Sequence, residues 1–210
     1  MAFDFKKEWK EFYLPPRKPE IVTVPPMRYV AVRGRGDPNR AGGAFQRAVS
    51  VLYAVAFTVK MSKRGDHAMD GYFDFVVPPL EGLWWQENEE AVDLTDKAAF
   101  QWIAMIRLPD FVTEAEFRWA VEQAAEKKKI DGGLAELFFA AEGQCVQMLH
   151  VGPFDTEGAS IESMRQYAQA MGYRVDLSSA RRHHEIYLSD ARKVPPEKWR
   201  TVIRLPVAPL

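Results

Sequence analysis

The segment His183-His184-Glu185-Ile186-Tyr187-Leu188 concentrates the side chains best suited to chemistry. In a β-strand alternate residues share a face. His183, Glu185 and Tyr187 therefore lie together, with His184, Ile186 and Leu188 opposite. With Ile186 and Leu188 under a helix, Glu185 and Tyr187 face the open side of the sheet. A carboxylate and a phenol two residues apart then point into one cavity, an arrangement for proton transfer or for recognising a cation. The bland alternative is a solvated strand whose polar face meets only water. A metal centre from His183, His184 and Glu185 is disfavoured. His184 points away from His183, so at most two ligands converge, and no HExxH helix is present. No metal and no cofactor is expected.

Other residues are candidates for a wall around that pair. Trp84 and Trp85 are adjacent, so in a strand one enters the core and the other lines the cleft, or both are core. Tyr53 and Phe57 lie on a helix flank, where packing is the ordinary reading. His150, just before Gly152-Pro153, fits a satisfied strand histidine as well as a pocket residue. Cys145 sits beside Val146 in an apolar strand, so inert packing is favoured over a nucleophile. Gly34-x-Gly36 lacks the third glycine of a dinucleotide fingerprint, since position 39 is Asn, and no GxSxG occurs. Arg181-Arg182 reads as a solvated basic turn.

Composition narrows the classes. The 210 residues are 47% hydrophobic and 27% charged, a mixture able to bury a core. Twenty-eight basic and 29 acidic side chains leave a net charge of −1, which gives no global field to attract nucleic acid or an anionic membrane. One cysteine excludes an intrachain disulfide and fits a reducing compartment. No secretory or membrane segment is evident, so a cytoplasmic chain is expected. Aromatic residues reach 12%, and aromatic surface lines pockets for flat ligands as well as cores.

The elements that must position these residues follow from periodicity. Residues 1–27 read as an N-terminal arm kept extended by five prolines. Strands are expected at 27–33, 72–77, 100–108, 145–151, 184–188 and 199–205, the last closed by Pro206. Helices are expected at 43–60, 113–129 and 156–171. The second starts in the Thr113/Glu116 capping box, and Gly132-Gly133 ends it. An acidic loop follows Trp85. The order strand–helix–strand–strand occurs twice, and Ile106-Arg107-Leu108-Pro109 is echoed by Ile203-Arg204-Leu205-Pro206. This predicts an internal duplication. The expected fold is α+β: two βαββ units form one curved antiparallel sheet, with helices on one face and a ligand cleft on the other. Repeat one covers about 28–110, a helical connection about 111–143, and repeat two about 144–210.

Four stretches carry a family resemblance. They are Leu80-Glu81-Gly82-Leu83-Trp84-Trp85, Gln101-Trp102-Ile103-Ala104-Met105-Ile106, the run from Glu142-Gly143-Gln144-Cys145 to Gly152-Pro153, and His183-His184-Glu185-Ile186-Tyr187-Leu188-Ser189-Asp190. Together they resemble the GyrI-like small-molecule-binding family over nearly the whole chain. The resemblance implies two βαββ units around a pseudo-twofold axis with a ligand cleft between them. It is similar to the effector-binding domains of multidrug-responsive regulators, in which a buried glutamate stands in an aromatic cleft, here Glu185. Phe73 or Glu81 would be its counterpart in repeat one. The stand-alone branch it looks close to includes cyclopropanoid cyclopropyl hydrolases. The implied function is binding of flat hydrophobic aromatic molecules and hydrolysis of the strained cyclopropane of DNA-alkylating compounds, a protection from genotoxins. Glu185 would be the general base and Tyr187 a donor or water-orienting group. Trp84 or Trp85, Tyr53, Phe73 and His150 would bind ligand. The alternative is a non-catalytic multidrug-type binding or sequestration module. Planar hydrophobic small molecules are the expected partners, with no direct nucleic-acid binding.

Overall fold

The computed structural model describes residues 2–65, 67–87 and 96–210. Most of the acidic stretch expected after Trp85 lies outside these residues. Two short helices, α1 (Phe5–Glu8) and α2 (Lys10–Tyr13), open the chain, followed by β1 (Glu20–Val24) and β2 (Met27–Arg35). Then come α3 (Ala44–Met61), β3 (Leu80–Trp85), β4 (Gln101–Arg107) and α4 (Glu114–Lys128). The second half holds β5 (Glu136–Ala140), β6 (Gly143–Val151), α5 (Glu157–Ala170), β7 (Tyr173–Val175), β8 (His183–Tyr187) and β9 (Arg200–Pro209).

The helices form for legible reasons. On α3 the buried residues Ala48, Val51, Leu52, Val55, Ala56 and Val59 recur every three or four positions, one stripe of an amphipathic helix. At α4 the Thr113 hydroxyl accepts from the Glu116 backbone N–H at 3.2 Å, half of the expected capping box. This helix stops at Lys128, before the glycine pair. Lys129 takes the left-handed conformation (φ 54°), and its N–H reaches the Ala125 carbonyl.

The main strands pair in the order β1-β6-β9-β8-β3-β4-β2-β5, and β7 adds to β9. All the pairs are antiparallel. The centre is the β3·β8 pair, with Gly82 opposite Glu185 and Trp84 opposite His183. Either side of it lies one βαββ unit: β2-α3-β3-β4 and β6-α5-β8-β9. The α+β duplication is thus present as a single antiparallel sheet. The outermost strands pair across the repeats. Only Pro25-Pro26 separates β1 from β2, yet β1 pairs with β6 and β2 with β4 and β5. Val24 and Met27 are at most about 11 Å apart along the chain. The sheet must therefore curl until its two ends approach.

Four expectations about elements change. The arm contains a strand, β1, and the helical connection contains another, β5. Residues 72–77 form no strand, only the isolated bridge Phe75–Phe3. Pro78 and Pro79 lack the N–H donors a central strand needs, so the strand begins after them at Leu80. Pro206 does not close β9, which runs on to Pro209 by changing partner: Pro206 faces Cys145 of β6, and Val207 faces Val175 of β7.

The helices α3 and α4 pack on one face of the first half, over Val30, Val32, Trp102, Ala104 and Ile106. On the same face of the second half, α5 packs over Val146, Met148, Ile203 and Leu205. The other face is curled around Tyr29, Ala31, Leu83, Met105 and Cys145. The N-terminal arm fills it. Arg204 donates to the Phe12 carbonyl at 2.8 Å, Gln147 to the Glu11 carbonyl at 2.6 Å, and Tyr13 to Glu81 at 3.3 Å. The repeated tetrapeptide has a meaning here. Arg107 and Arg204 occupy matching strands of the two halves and are both buried. Arg107 lies 3.5 Å from the Trp9 ring centroid, so each repeat clamps the arm with its own arginine.

Candidate functional site

The parity of β8 is as read: His183, Glu185 and Tyr187 share one face. The side is not. Direct cross-strand partners share a face, and Leu80, Gly82 and Trp84 stand opposite Tyr187, Glu185 and His183. Trp84 in turn stands opposite Trp102, and Phe45 of α3 packs on both indoles. Glu185 and Tyr187 therefore face the helix-bearing side, with Phe45 of α3 against Trp84 and Glu157 of α5 beside Glu185. The physical reason is the arm. Ile186 sits opposite Val202, which sits opposite Leu149, and all three are buried with Phe5 and Tyr13. The arm supplies the apolar cover that the sequence pattern leads one to expect from a helix.

Around Glu185 the hydrogen bonds form a chain. Trp84 Nε1 donates to the Tyr187 hydroxyl at 2.9 Å, and that hydroxyl donates to Glu185 Oε2 at 2.8 Å. His183 Nε2 lies 3.0 Å from Glu185 Oε1. Gly82 makes the approach possible: a Cβ there would meet Trp84 Nε1 at 2.6 Å and the Tyr187 hydroxyl at 3.1 Å. Phe154 packs edge-on to Tyr187 and tilts against Trp199 at the rim.

Sequence reasoning missed Glu157. This first residue of α5 is fully buried, and neither carboxyl oxygen makes a hydrogen bond of normal geometry. An acid in the first turn of a helix is so ordinary that no sequence signal marks this one. Glu157, His183 and Glu185 each offer a ligand atom within 4.8 Å of the others. Burial pushes the Glu157 carboxyl well above the usual range, and the Glu185 charge adds to the shift. Two adjacent buried carboxylates resist double ionisation, which favours the protonated form of Glu157. Burial first, then Glu185, also raises the Tyr187 phenol far above its ordinary value. The same three ligand atoms have the spacing to take a cation, with Glu157 replacing the His184 that faces away. Glu185, however, already has both oxygens engaged by Tyr187 and His183.

His150 lies on this face, opposite Thr201, with Nδ1 at 2.9 Å from Ser160 Oγ and Nε2 at 3.2 Å from the Pro153 carbonyl. Burial lowers its pKa, so it stands as a neutral, locally satisfied histidine. The remaining candidates lie elsewhere. Trp85 faces the opposite side, packed with the curled-face cluster under Arg182. Phe73 joins Phe3, Phe75 and Phe111. Tyr53 lines an open groove of about 1350 Å³ between α3 and α4, with Phe57 and Trp119. Glu81 faces the arm, with Oε2 at 2.9 Å from His184 Nε2. His184 Nδ1 is 2.8 Å from Glu142, which Arg204 also binds at 2.9 Å. This buried network is structural: it ties the strands to the arm and lies on the far face from Glu185.

Among the described residues no helix is long and apolar enough to cross a membrane. No curated protein matches the chain. Among solved structures it is similar to a hydrolase from Listeria innocua, with 48% identity, 99% of this chain and 100% of that chain covered, and a TM-score of 0.89. An uncharacterized conserved protein from Listeria innocua matches at 50% identity over the same shares, with a TM-score of 0.91. The C-terminal domain of EcmrR shares the fold alone, at 13% identity and a TM-score of 0.50, over 92% of this chain and 98% of that one. The model of the GyrI-like small molecule binding domain matches residues 17–208. With that match and the paired βαββ architecture, the chain belongs to the GyrI-like small-molecule-binding family.

Proposed function

We propose that the site around Glu185, bordered by Phe45 of α3 and Glu157 of α5, takes flat, hydrophobic aromatic molecules and that Glu185 and Glu157 hydrolyse a strained ring in them. The observation that carries this reading is the pair of buried carboxyl groups, Glu185 and Glu157, within 4.8 Å of each other and linked through Tyr187 to the Trp84 indole. A carboxylate base beside a carboxylic acid is the usual equipment for general acid–base hydrolysis. The hydrolase from Listeria innocua at 48% identity supports an enzymatic role. The sequence resemblance to cyclopropanoid cyclopropyl hydrolases supplies the substrate class, a cyclopropane conjugated to a dienone.

In this mechanism Glu185 takes a proton from water as the water oxygen attacks the cyclopropane methylene. The carbon–carbon bond breaks, and its electron pair aromatises the dienone and places charge on the carbonyl oxygen. The neutral Glu157 carboxyl gives that oxygen a proton, and the proton now on Glu185 returns the pair to its starting state. The product is the substrate plus one water, and no cofactor takes part. Tyr187 holds Glu185 oriented, and Trp84 with Phe45 stacks on the ligand. Such chemistry would protect a cell from genotoxic alkylators. The free, buried Cys145 fits a reducing compartment, and we place the chain in the cytoplasm without direct contact to nucleic acid.

A second reading follows from the same acids. If the pair ionises on ligand entry, it would neutralise a planar cation in an aromatic cage, and the protein would sequester rather than hydrolyse. Incubation with a cyclopropane-dienone alkylator separates the two. A product heavier by one water, formed over many turnovers, supports hydrolysis. Stoichiometric binding without a water adduct, with a preference for planar cations, supports sequestration.

A further inference from the structure

A second recess, of about 370 Å³, opens on the face of the sheet away from Glu185. Leu83, Ile103, Trp85 and Phe138 line it, together with Glu142, whose carboxylate is already paired with His184 and Arg204. Ligand pockets are typically of about this size or larger, mostly apolar, with a few convergent polar groups. Three guanidinium groups border this one, and they are not equivalent. Arg181 is spent on Asp176 and on the backbone carbonyls of Glu142, Gln144 and Val207. Arg33 is paired with Glu136 at 2.6 Å and lies over the Phe138 ring at 5.4 Å. Arg182 has no carboxylate partner among the described residues. Its guanidinium lies 4.6 Å from the Trp85 ring centroid, which fixes the cation at the mouth and leaves its N–H groups for another acceptor.

We propose that this recess is a second ligand site, taking a small planar aromatic carboxylate. The ring would lie against Trp85 and Phe138, and the carboxylate would pair with Arg182 in the bidentate manner that a guanidinium favours. Burial without a compensating acid lowers the Arg182 pKa, which fits a cation awaiting an anion. The site is independent of the Glu185 pair, because Trp85 points to the opposite side from Trp84.

The test uses 2-naphthoate and its neutral analogue 2-naphthalenemethanol in isothermal titration with the full chain. Naphthoate is expected to bind one to one, at least tenfold tighter than the alcohol. R182Q should weaken naphthoate at least tenfold with the melting temperature unchanged, and W85A should weaken both compounds. Y187F should leave naphthoate affinity as it is, which separates this site from the cleft. Equal affinity in R182Q and wild type, equal affinity for acid and alcohol, or loss of binding in Y187F would each overturn the proposal.

Discussion

The carboxyl groups of Glu157 and Glu185 come within 4.8 Å of each other in a buried site, one from the first turn of α5 and one from the middle of β8. Glu185 is held by Tyr187 and His183, whereas the polar neighbour of Glu157 is the Glu185 carboxyl itself. A buried acid left in this way costs stability, and such positions are retained where they serve function.

Replacing Glu157 tests that statement on stability. Its folded pKa is raised, so above about pH 4.5, the usual carboxylate range, the unfolded chain ionises while the folded chain keeps its proton. The folded state binds more protons there, and stability falls as pH rises. E157Q removes this penalty. Its melting temperature at pH 7.5 should exceed wild type by several degrees, with turnover down roughly 100-fold. A less stable E157Q, measured by thermal melting across pH, would contradict the neutral buried acid.

The arm-side network loses stability at both ends of the pH range, His184 at the alkaline end and Glu142 at the acid end. Despite the burial of both groups, the Glu142 carboxylate and its companion Glu81 raise His184 to about 9, while His184 and Arg204 lower Glu142 to about 2. The His184 contribution is complete below its unfolded value, near 6.5, and is lost as pH rises through about 9. The Glu142 contribution is complete above about 4.5 and is lost as pH falls through about 2. The network therefore holds best between about pH 4.5 and 6.5. H184Q should flatten the alkaline loss of stability, which calorimetry from pH 6 to 9.5 would read.

Gly82 is predicted to be indispensable to the site rather than to the sheet. In G82A the new methyl group wedges between Trp84 and Tyr187. Ligand affinity and turnover should both fall at least tenfold, while circular dichroism still reports a folded chain. Wild-type affinity in G82A would mean that the Trp84–Tyr187 contact does not shape the cleft.

Tyr187→Phe leaves Glu185 Oε2 and Trp84 Nε1 without their partner. A cost of about 1–3 kcal/mol in stability is expected from two unsatisfied buried groups. Turnover should drop more than ligand affinity, because the stacking surface is kept. Equal losses in both would assign Tyr187 to binding alone.

Strand parity alone put His183, Glu185 and Tyr187 together, and the duplicated element order with its repeated tetrapeptide revealed the two halves. A period of two says which residues share a face but not which face that is. Trp9, Phe12, Tyr13 and Leu14 mark the arm as able to dock on a core, but nothing local says which face of the sheet it covers, so Ile186 reads as lying under a helix. Phe73 and Tyr53 were drawn toward the site by aromatic character, yet their partners are aromatic clusters elsewhere. Glu157 stayed hidden because its role arises from burial and from Glu185, neither of which is local in sequence. The same holds for His184, whose two carboxylate partners come from β3 and from the turn between β5 and β6.

The most direct measurement is turnover of a cyclopropane-dienone alkylator by E185Q, with the water adduct counted by mass spectrometry and ligand affinity measured in parallel. The Gln side chain keeps the shape and removes the base. Binding of the neutral substrate should persist within a fewfold, while the rate of adduct formation falls by roughly 100-fold or more. Hydrolysis by E185Q at the wild-type rate would contradict the assignment of Glu185 as the base.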